Sequence, residues 1–255
     1  MIFDTHAHYS DSKFDNDRHE LFMSMEENGV GGIVEAGADV KSSNNAIELS
    51  GKYSFVYAAV GIHPQETAGI DESHMEWLRA QASKEKVVAI GEIGLDYYYG
   101  QPERPVQKKW FIHQLEIAKD TGLPVVIHSR DAAEDTLDII KDYNVGETGG
   151  VIHCFSYSWE IAKKYIDMGF YLGIGGVVTF KNNRKLTDVV CKTPLDSIVL
   201  ETDSPYLAPE PYRGKRNCSI YLKYIVEKVA ELKGVPQQEV IDVTERNAKR
   251  LYRLL

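Results

Sequence analysis

The chain has 255 residues, with 29 lysines and arginines against 38 aspartates and glutamates, and therefore a formal net charge of −9 at pH 7. This balance excludes a protein that holds nucleic acid by bulk positive charge. Hydrophobic residues make up 43% of the chain and charged residues 26%, which excludes both a disordered and a membrane-spanning composition.

Eight short apolar or β-branched runs predict eight strands, at residues 1–6, 32–37, 55–63, 86–94, 123–129, 149–155, 170–176 and 197–203. The segments between them have room for one helix and carry helical periodicity. After the fourth run, for example, Trp110, Phe111 and Leu115 form an apolar stripe that Gly122 can end. Apolar strands alternating with amphipathic helices indicate a parallel sheet. Eight such units favour an α/β fold of the closed (β/α)₈ TIM-barrel type over an open doubly wound sheet.

The chain contains no linker-like segment or break in composition, so we expect a single domain over residues 1–255. The last stretch, residues 236–255, predicts a terminal helix that packs on the outside of the barrel. The three cysteines are odd in number and lack CxxC spacing, which indicates free thiols and a cytoplasmic protein. No apolar run approaches the roughly 20 residues that cross a bilayer, so we expect no membrane association, and nothing predicts an obligate protein partner.

In a barrel of this type the reactive groups lie at the carboxyl ends of the strands. Here those ends carry residues of metal-ligand type, in chain order His6, His8, Glu92, His128, His153 and Asp203. Because residues i and i+2 of a strand point to the same face, His6 and His8 can approach one metal ion together.

Six donors exceed the three protein ligands of a catalytic zinc site and suit two divalent ions. Glu92, on a strand between the two groups of histidines, is the candidate bridging ligand. Asp203 would hold the first ion and the attacking water and act as general base. Two ions and two carboxylates sum to +2, which favours an anionic substrate. The chain has no GxSxG motif, and Cys154 alternates with His153 and should face away from the lumen, so we expect no Ser or Cys nucleophile.

The loops after the seventh and eighth strands, where such barrels frequently bind phosphate, are locally basic. The candidate phosphate-binding residues of these loops are Lys181, Arg213, Lys215 and Arg216. Arg130 and His63 lie near strand ends, where each could reach a phosphoryl oxygen or a leaving group. Aromatic residues crowd the loops at this end and could stack bases, namely Tyr97, Tyr98, Tyr99, Tyr157, Trp159, Phe180, Tyr206 and Tyr212.

Several motifs together carry a family resemblance: DTHAH at 4–8, GIHP at 61–64, GEIGLDY at 91–97, IHSRDA at 127–132, HCFS at 153–156, GGVVTFKN at 175–182, LETDSPYL at 200–207, PYRGKRN at 211–217 and NAKRLY at 247–252. In these motifs the chain resembles the TatD-family metal-dependent deoxyribonucleases, a branch of the amidohydrolase-like metallohydrolases. The resemblance implies a TIM-barrel hydrolase with the same six ligands. It also implies a transient DNA substrate, digested exonucleolytically as single strands.

Two divalent ions per subunit are expected, drawn from zinc, manganese, magnesium, iron or nickel. Four imidazoles favour zinc, manganese or iron by ligand softness, whereas the family resemblance favours magnesium as the working ion. The substrate has alternatives, because the same ligands serve hydrolases of a small amide or ester, and the resemblance also extends to D-aminoacyl-tRNA deacylases. A third alternative is a non-catalytic scaffold that the metal stabilises.

Overall fold

The computed structural model describes residues 1–144 and 148–254, so residues 145–147 and 255 of the predicted domain lie outside the described residues. Eight parallel strands form one sheet in sequence order. The strands are β1 (Ile2–Ala7), β2 (Val30–Ala36), β3 (Val56–Val60), β4 (Val87–Asp96), β5 (Val125–Arg130), β6 (Gly150–Ile152), β7 (Tyr171–Ile174) and β8 (Ile198–Leu200).

Helices follow the strands: α1 (Arg18–Met23), α2 (Val40–Lys52), α3 (Glu72–Gln81), α4 (Arg104–Thr121), α5 (Ala133–Asp142), α6 (Trp159–Asp167), α7 (Arg184–Lys192), α8 (Leu222–Lys233) and α9 (Gln237–Leu251). In α4 the predicted stripe is buried, and Gly122 ends the helix with a φ of 70°. That left-handed conformation is one that glycine adopts without steric cost. None of the helices in the described residues is long and apolar enough to cross a membrane.

The first and last strands meet, so the predicted TIM barrel is confirmed and the open sheet is excluded. Ala7 pairs with Ser204 in a parallel bridge, and the N–H of His8 donates to the carbonyl of Ser204 at 2.7 Å. The N–H of Asp203 in turn donates to the carbonyl of His6 at 2.9 Å. The same contacts that close the barrel thus fix the backbone of three predicted metal ligands.

The strand ends differ from the prediction in a way that matters for the site. β4 continues two residues past the predicted end, to Asp96, whereas β3, β6 and β8 stop at residues 60, 152 and 200. His63, His153 and Asp203 therefore lie in the loops just beyond their strands. The apolar runs in the sequence continue beyond the last hydrogen bond between neighbouring strands. Hydrophobicity alone therefore does not show where each strand ends.

The prediction that the terminal helix packs on the outside is wrong. Leu251 and Tyr252, at the end of α9, belong to one buried cluster with Val126, Val151 and Val199. Each of these valines shares its strand face with a predicted ligand two or four positions later, so the cluster fills the barrel interior at its amino-terminal end. The helix therefore closes the bottom of the barrel, opposite the metal-ligand residues.

Candidate metal centre

One group of ligand atoms gathers around the end of β1. Nε2 of His6 and Nε2 of His8 lie 3.0 Å apart. Oδ1 of Asp203 lies 3.8 Å from the former and 3.4 Å from the latter. Oε2 of Glu92 completes the group, 3.4 Å from Nε2 of His6 and 3.6 Å from Nε2 of His8.

The other oxygen of Glu92 faces a second group of imidazoles. Oε1 lies 2.8 Å from Nδ1 of His128, 3.6 Å from Nε2 of His63 and 3.8 Å from Nε2 of His153. The two carboxylate oxygens of Glu92 thus point to two different sets of nitrogens.

The donor set fits divalent metal ions. Ligand atoms about 2.0–2.2 Å from an ion in tetrahedral or octahedral geometry lie about 3.0–3.4 Å from each other. The separations in the first group, 3.0–3.8 Å, are close to these values. Three triads contain His6 or Glu92, and in each of them the ligand atoms lie within 4.8 Å of one another: His6, His8 and Asp203; His6, Glu92 and His153; His63, Glu92 and His128.

The electrostatics of the cluster keep its carboxylates ionised. Burial alone would raise the pKa of Glu92, but the imidazoles of His63, His6 and His153 hold that pKa well below its ordinary value. Burial lowers the pKa of His63 to about 4, so this ring is neutral at pH 7. Burial also opposes protonation of His8, yet its contact with Asp203 raises the pKa of His8 to about 9. The carboxylates thus favour a proton on His8, and a bound metal cation would displace that proton.

Asp96 belongs to the site and was missed by the strand-end argument. Its Oδ2 lies 3.2 Å from Nε2 of His128 and accepts a hydrogen bond from Nε2 of Gln65 at 3.1 Å. Its Oδ1 accepts from the N–H of Tyr98 at 2.9 Å. The signal was present in the sequence, because Glu92 and Asp96 are four residues apart on one strand and share a face.

Glu201 is a second missed carboxylate, and it lies behind His153. Its Oε1 accepts a hydrogen bond from the N–H of Cys154 at 2.6 Å and lies 3.0 Å from Nδ1 of His153. The expectation that Cys154 faces away from the site is wrong. With a φ of 46° the backbone turns left-handed after β6, and a ligand atom of Cys154 lies within 4.8 Å of those of His153 and Glu201. Burial raises the pKa of the Cys154 thiol well above its ordinary value, which disfavours the nucleophilic thiolate.

Two further buried carboxylates hold the loops that carry the ligands. Glu35 on β2 accepts hydrogen bonds of 2.7 Å from the backbone N–H groups of the two residues that follow His8. Asp4 accepts from the N–H and the hydroxyl of Thr202 and from the hydroxyl of Ser219. Burial raises the pKa of Asp4 to about 7 in spite of these donors. These contacts tie the segment that follows β1 to β2, and β1 itself to the loop after β8.

A cleft of about 470 Å³ opens above the ligand cluster. Lys41 and Asn45, from the start of α2, line one wall, and Tyr206, after β8, lines another. Lys41 is the one lysine or arginine of the described residues that borders this cleft, and nothing in the sequence singled it out.

Of the residues predicted to reach a phosphate, His63 lines this cleft, whereas Arg130 and the four candidates of the basic loops are not among its lining residues. Arg216 donates to Oδ1 of Asp17 at 2.7 Å and places its guanidinium in an ion pair with that carboxylate. The guanidinium of Arg213 covers the ring of Phe180 at 4.3 Å from the ring centroid. All four candidates of the two basic loops are solvent exposed, namely Lys181, Arg213, Lys215 and Arg216. Their contact with a phosphate stays a prediction.

Comparison with known proteins places this centre in a family. The family profile described as TatD related DNase matches residues 3–253. The chain belongs to the TatD family. It is 42% identical, over the full length of both chains, to a Bacillus subtilis protein named as the uncharacterized metal-dependent hydrolase YabD. Over 99% of this chain and 98% of the relative it is 31% identical to a Rahnella protein named 3'-5' ssDNA/RNA exonuclease TatD.

The solved structures agree with this placement. The crystal structure of the TatD homologue YjjV from Escherichia coli K12 superposes with a TM-score of 0.94, at 30% sequence identity, covering 99% of this chain and 98% of the other. The chain is therefore a TatD-family metal-dependent hydrolase, as the resemblance implied, and its clustered histidines and carboxylates are the groups able to bind metal.

Proposed function

We propose that this TatD-family hydrolase is a metal-dependent phosphodiesterase that shortens single-stranded DNA from an end, with two divalent ions at its centre. The observation that carries the proposal is Glu92, whose two oxygens face two separate groups of nitrogen ligands. Two ions held side by side can stabilise both the attacking and the leaving oxygen of an in-line displacement, the arrangement that nucleases and phosphatases use. The name of the Rahnella relative supports a nucleic acid substrate.

The ligands divide between the two positions. His6, His8 and Asp203, with Oε2 of Glu92, would hold one ion, and His128 and His153, with Oε1 of Glu92, would hold the other. When bound, such ions polarise phosphoryl oxygens and lower the pKa of water from 15.7 to about 7. The same donors could take zinc, manganese, magnesium, iron or nickel.

The protein's own groups supply a proton acceptor and a hydrogen-bond donor. The Asp203 carboxylate is partly open to the cleft, which suits it to orient the attacking water and take its proton as general base. Nδ1 of His63 accepts a hydrogen bond from the N–H of Gln65 at 3.2 Å, so the proton of this neutral ring lies on Nε2, toward Glu92 and the centre. From there the N–H of His63 can donate a hydrogen bond that stabilises the negative charge on a leaving-group oxygen, without giving up its proton.

The test is a substrate panel with one matched pair of variants. Purified protein with Mn²⁺ or Mg²⁺ is incubated with end-labelled single-stranded DNA, a small carboxylic ester, an amide and a D-aminoacyl-tRNA. We expect progressive shortening of the DNA, a loss of at least 100-fold in kcat/KM for Asp203→Asn, and wild-type rates for Asp196→Asn. Asp196 is the control because its carboxylate contacts Arg246 on the surface. Hydrolysis of the ester, amide or D-aminoacyl-tRNA without any shortening of DNA would overturn the proposal in favour of that alternative.

A further inference from the structure

Some of the aromatic residues at this end of the barrel are packed against other side chains, and others expose a large part of their ring to solvent. The hydroxyl of Tyr97 donates to Asp135 at 2.6 Å, and the ring of Tyr212 stacks on Tyr221 at a centroid distance of 4.2 Å. The hydroxyl of Tyr157 accepts from the N–H of Ala132. Three other rings expose about half of their surface or more: Tyr98 at 58%, Tyr99 at 61% and Tyr206 at 46%. Large exposed rings that lie together near a cluster of reactive residues mark a candidate interaction surface.

These exposed rings lie on opposite sides of the metal centre. Tyr98 and Tyr99 follow β4, beside Arg130 at the end of β5, whereas Tyr206 follows β8, beside β1. Strands four places apart in a closed eight-stranded barrel lie across the lumen from each other. The ligand cluster, which draws on both sides, therefore lies between the two groups of tyrosines.

The β4 side is anchored directly to the metal centre. The N–H of Tyr98 donates to Asp96, whose other oxygen contacts His128. The guanidinium of Arg130 lies 3.8 Å from the ring centroid of Tyr98 and 5.4 Å from that of Tyr99. A cation over one face of a ring fixes its position and leaves the opposite face for another partner.

The β8 side is built in the same way. The N–H of Tyr206 donates to the carbonyl of Asp203 at 2.8 Å, and its hydroxyl donates to Asp11 at 3.0 Å. The ammonium of Lys13 lies 4.4 Å from its ring centroid. The ring borders the cleft, 6.5 Å from the ring of His8 by centroid distance.

We infer that Tyr98 with Arg130 and Tyr206 with Lys13 form two stacking platforms, which bind unpaired nucleobases on either side of the phosphate being cleaved. The inference rests on the proposed function and adds to it a reason for single-strand selectivity. Every base offers a π face to an aromatic ring, so such platforms tolerate any sequence, but a base within a duplex has both faces covered by its neighbours.

The test separates the platforms from the chemistry by removing the bases. Single-stranded oligothymidylate is compared with an oligonucleotide of the same length made of abasic sugar phosphates. For the wild-type protein with Mn²⁺ we expect kcat/KM to favour the base-containing strand by roughly 5- to 150-fold for each platform used. Tyr98→Leu and Tyr206→Leu, singly and together, should reduce this ratio, and the double variant should bring it near one.

Two controls keep the outcome specific to stacking. Tyr206→Phe retains the ring and loses the hydroxyl, so it should keep the ratio. Tyr171→Leu changes a tyrosine at the start of β7, at the far end of the barrel, and should also keep it. A wild-type ratio near one, an unchanged ratio in the double Leu variant, or loss of the ratio in Tyr206→Phe would overturn the platforms. Failure to cleave either strand would instead overturn the proposed function on which they rest.

Discussion

At the scale of single residues, the metal centre depends on carboxylates that do not face the cleft. Glu201 is buried and contacts both Nδ1 of His153 and the N–H of Cys154. A carboxylate on the distal nitrogen of a ligating imidazole fixes its tautomer and raises its basicity toward the metal. Glu201 is therefore a positioning residue for His153.

We predict that Glu201→Gln weakens metal binding by roughly 10- to 100-fold, because the neutral amide keeps the shape of the side chain and removes its charge. Competition with a metallochromic chelator measures the affinity. Glu231→Gln is the control, since Glu231 pairs with Lys228 on the surface of α8. An unchanged affinity in Glu201→Gln would show that His153 needs no partner, whereas loss of folding would be visible in the circular dichroism spectrum.

The clustering of the six candidate ligands could be predicted from the sequence because each of these residues lies at or near the end of an apolar run, where a barrel places its chemistry. Asp96 could have been found by extending the alternation from Glu92. Glu201 could not be assigned a partner, because its contact with His153 depends on how β6 and β8 approach each other across the barrel interior. The left-handed backbone at Cys154 also could not be predicted from the alternation of side chains along a strand.

At the scale of elements, the pairing of β4 with β5 brings Glu92 and His128 together. Gly94 lies between them on the ladder, opposite His128, with a φ of 142°. A Cβ on Gly94 would lie 2.0 Å from the carbonyl oxygen of His128. The close approach of these two strands therefore requires glycine at this position.

We predict that Gly94→Ala destabilises the protein by about 2 kcal/mol or more. The added Cβ is strained at this positive φ, and its clash with His128 can be relieved only if the strands move apart. Gly51→Ala is the matched control, because Gly51 lies in α2 with nothing within 4 Å of its added Cβ. There the same change should stabilise the protein by about 0.4–1 kcal/mol. Urea unfolding curves give both values, and equal effects at the two glycines would refute the packing argument.

At the scale of the whole molecule, the residues that α9 packs against and the residues of the candidate metal centre lie at opposite ends of the barrel. α9 covers the amino-terminal end, where the ring of Tyr252 lies near Phe3 and its hydroxyl donates to the carbonyl of Thr5 at 2.9 Å. The ligands gather at the other end. The barrel itself could be predicted from the order of its elements, but the position of α9 could not, because its apolar face fits an outer helix layer as well as the barrel bottom.

This separation predicts that Tyr252→Ala costs about 3–5 kcal/mol of folding free energy, through lost burial and the cavity left behind. Metal affinity below the unfolding temperature should stay at the wild-type value. Differential scanning calorimetry and the chelator assay measure the two quantities on the same sample. A parallel loss of metal affinity in the folded variant would show that the two ends of the barrel are coupled.

The net charge of −9 bears on how this protein binds nucleic acid. Negative charge is in excess over the chain as a whole, and among the lysines and arginines of the described residues Lys41 alone borders the cleft. A protein that binds nucleic acid through a basic surface gains its affinity from many contacts between cationic side chains and phosphates. The cleft of this protein offers few cationic side chains for such contacts. In EDTA the carboxylates of Glu92 and Asp203 would also repel a phosphate, whereas bound divalent ions reverse the local charge. We therefore predict that the EDTA-treated protein binds a cleavage-resistant phosphorothioate oligonucleotide at least 10-fold more weakly than the protein loaded with Mn²⁺. Fluorescence anisotropy measures both affinities, with Mn²⁺ added back to the EDTA-treated sample as control. Nanomolar binding in EDTA would mean that a surface other than the metal cleft holds the strand.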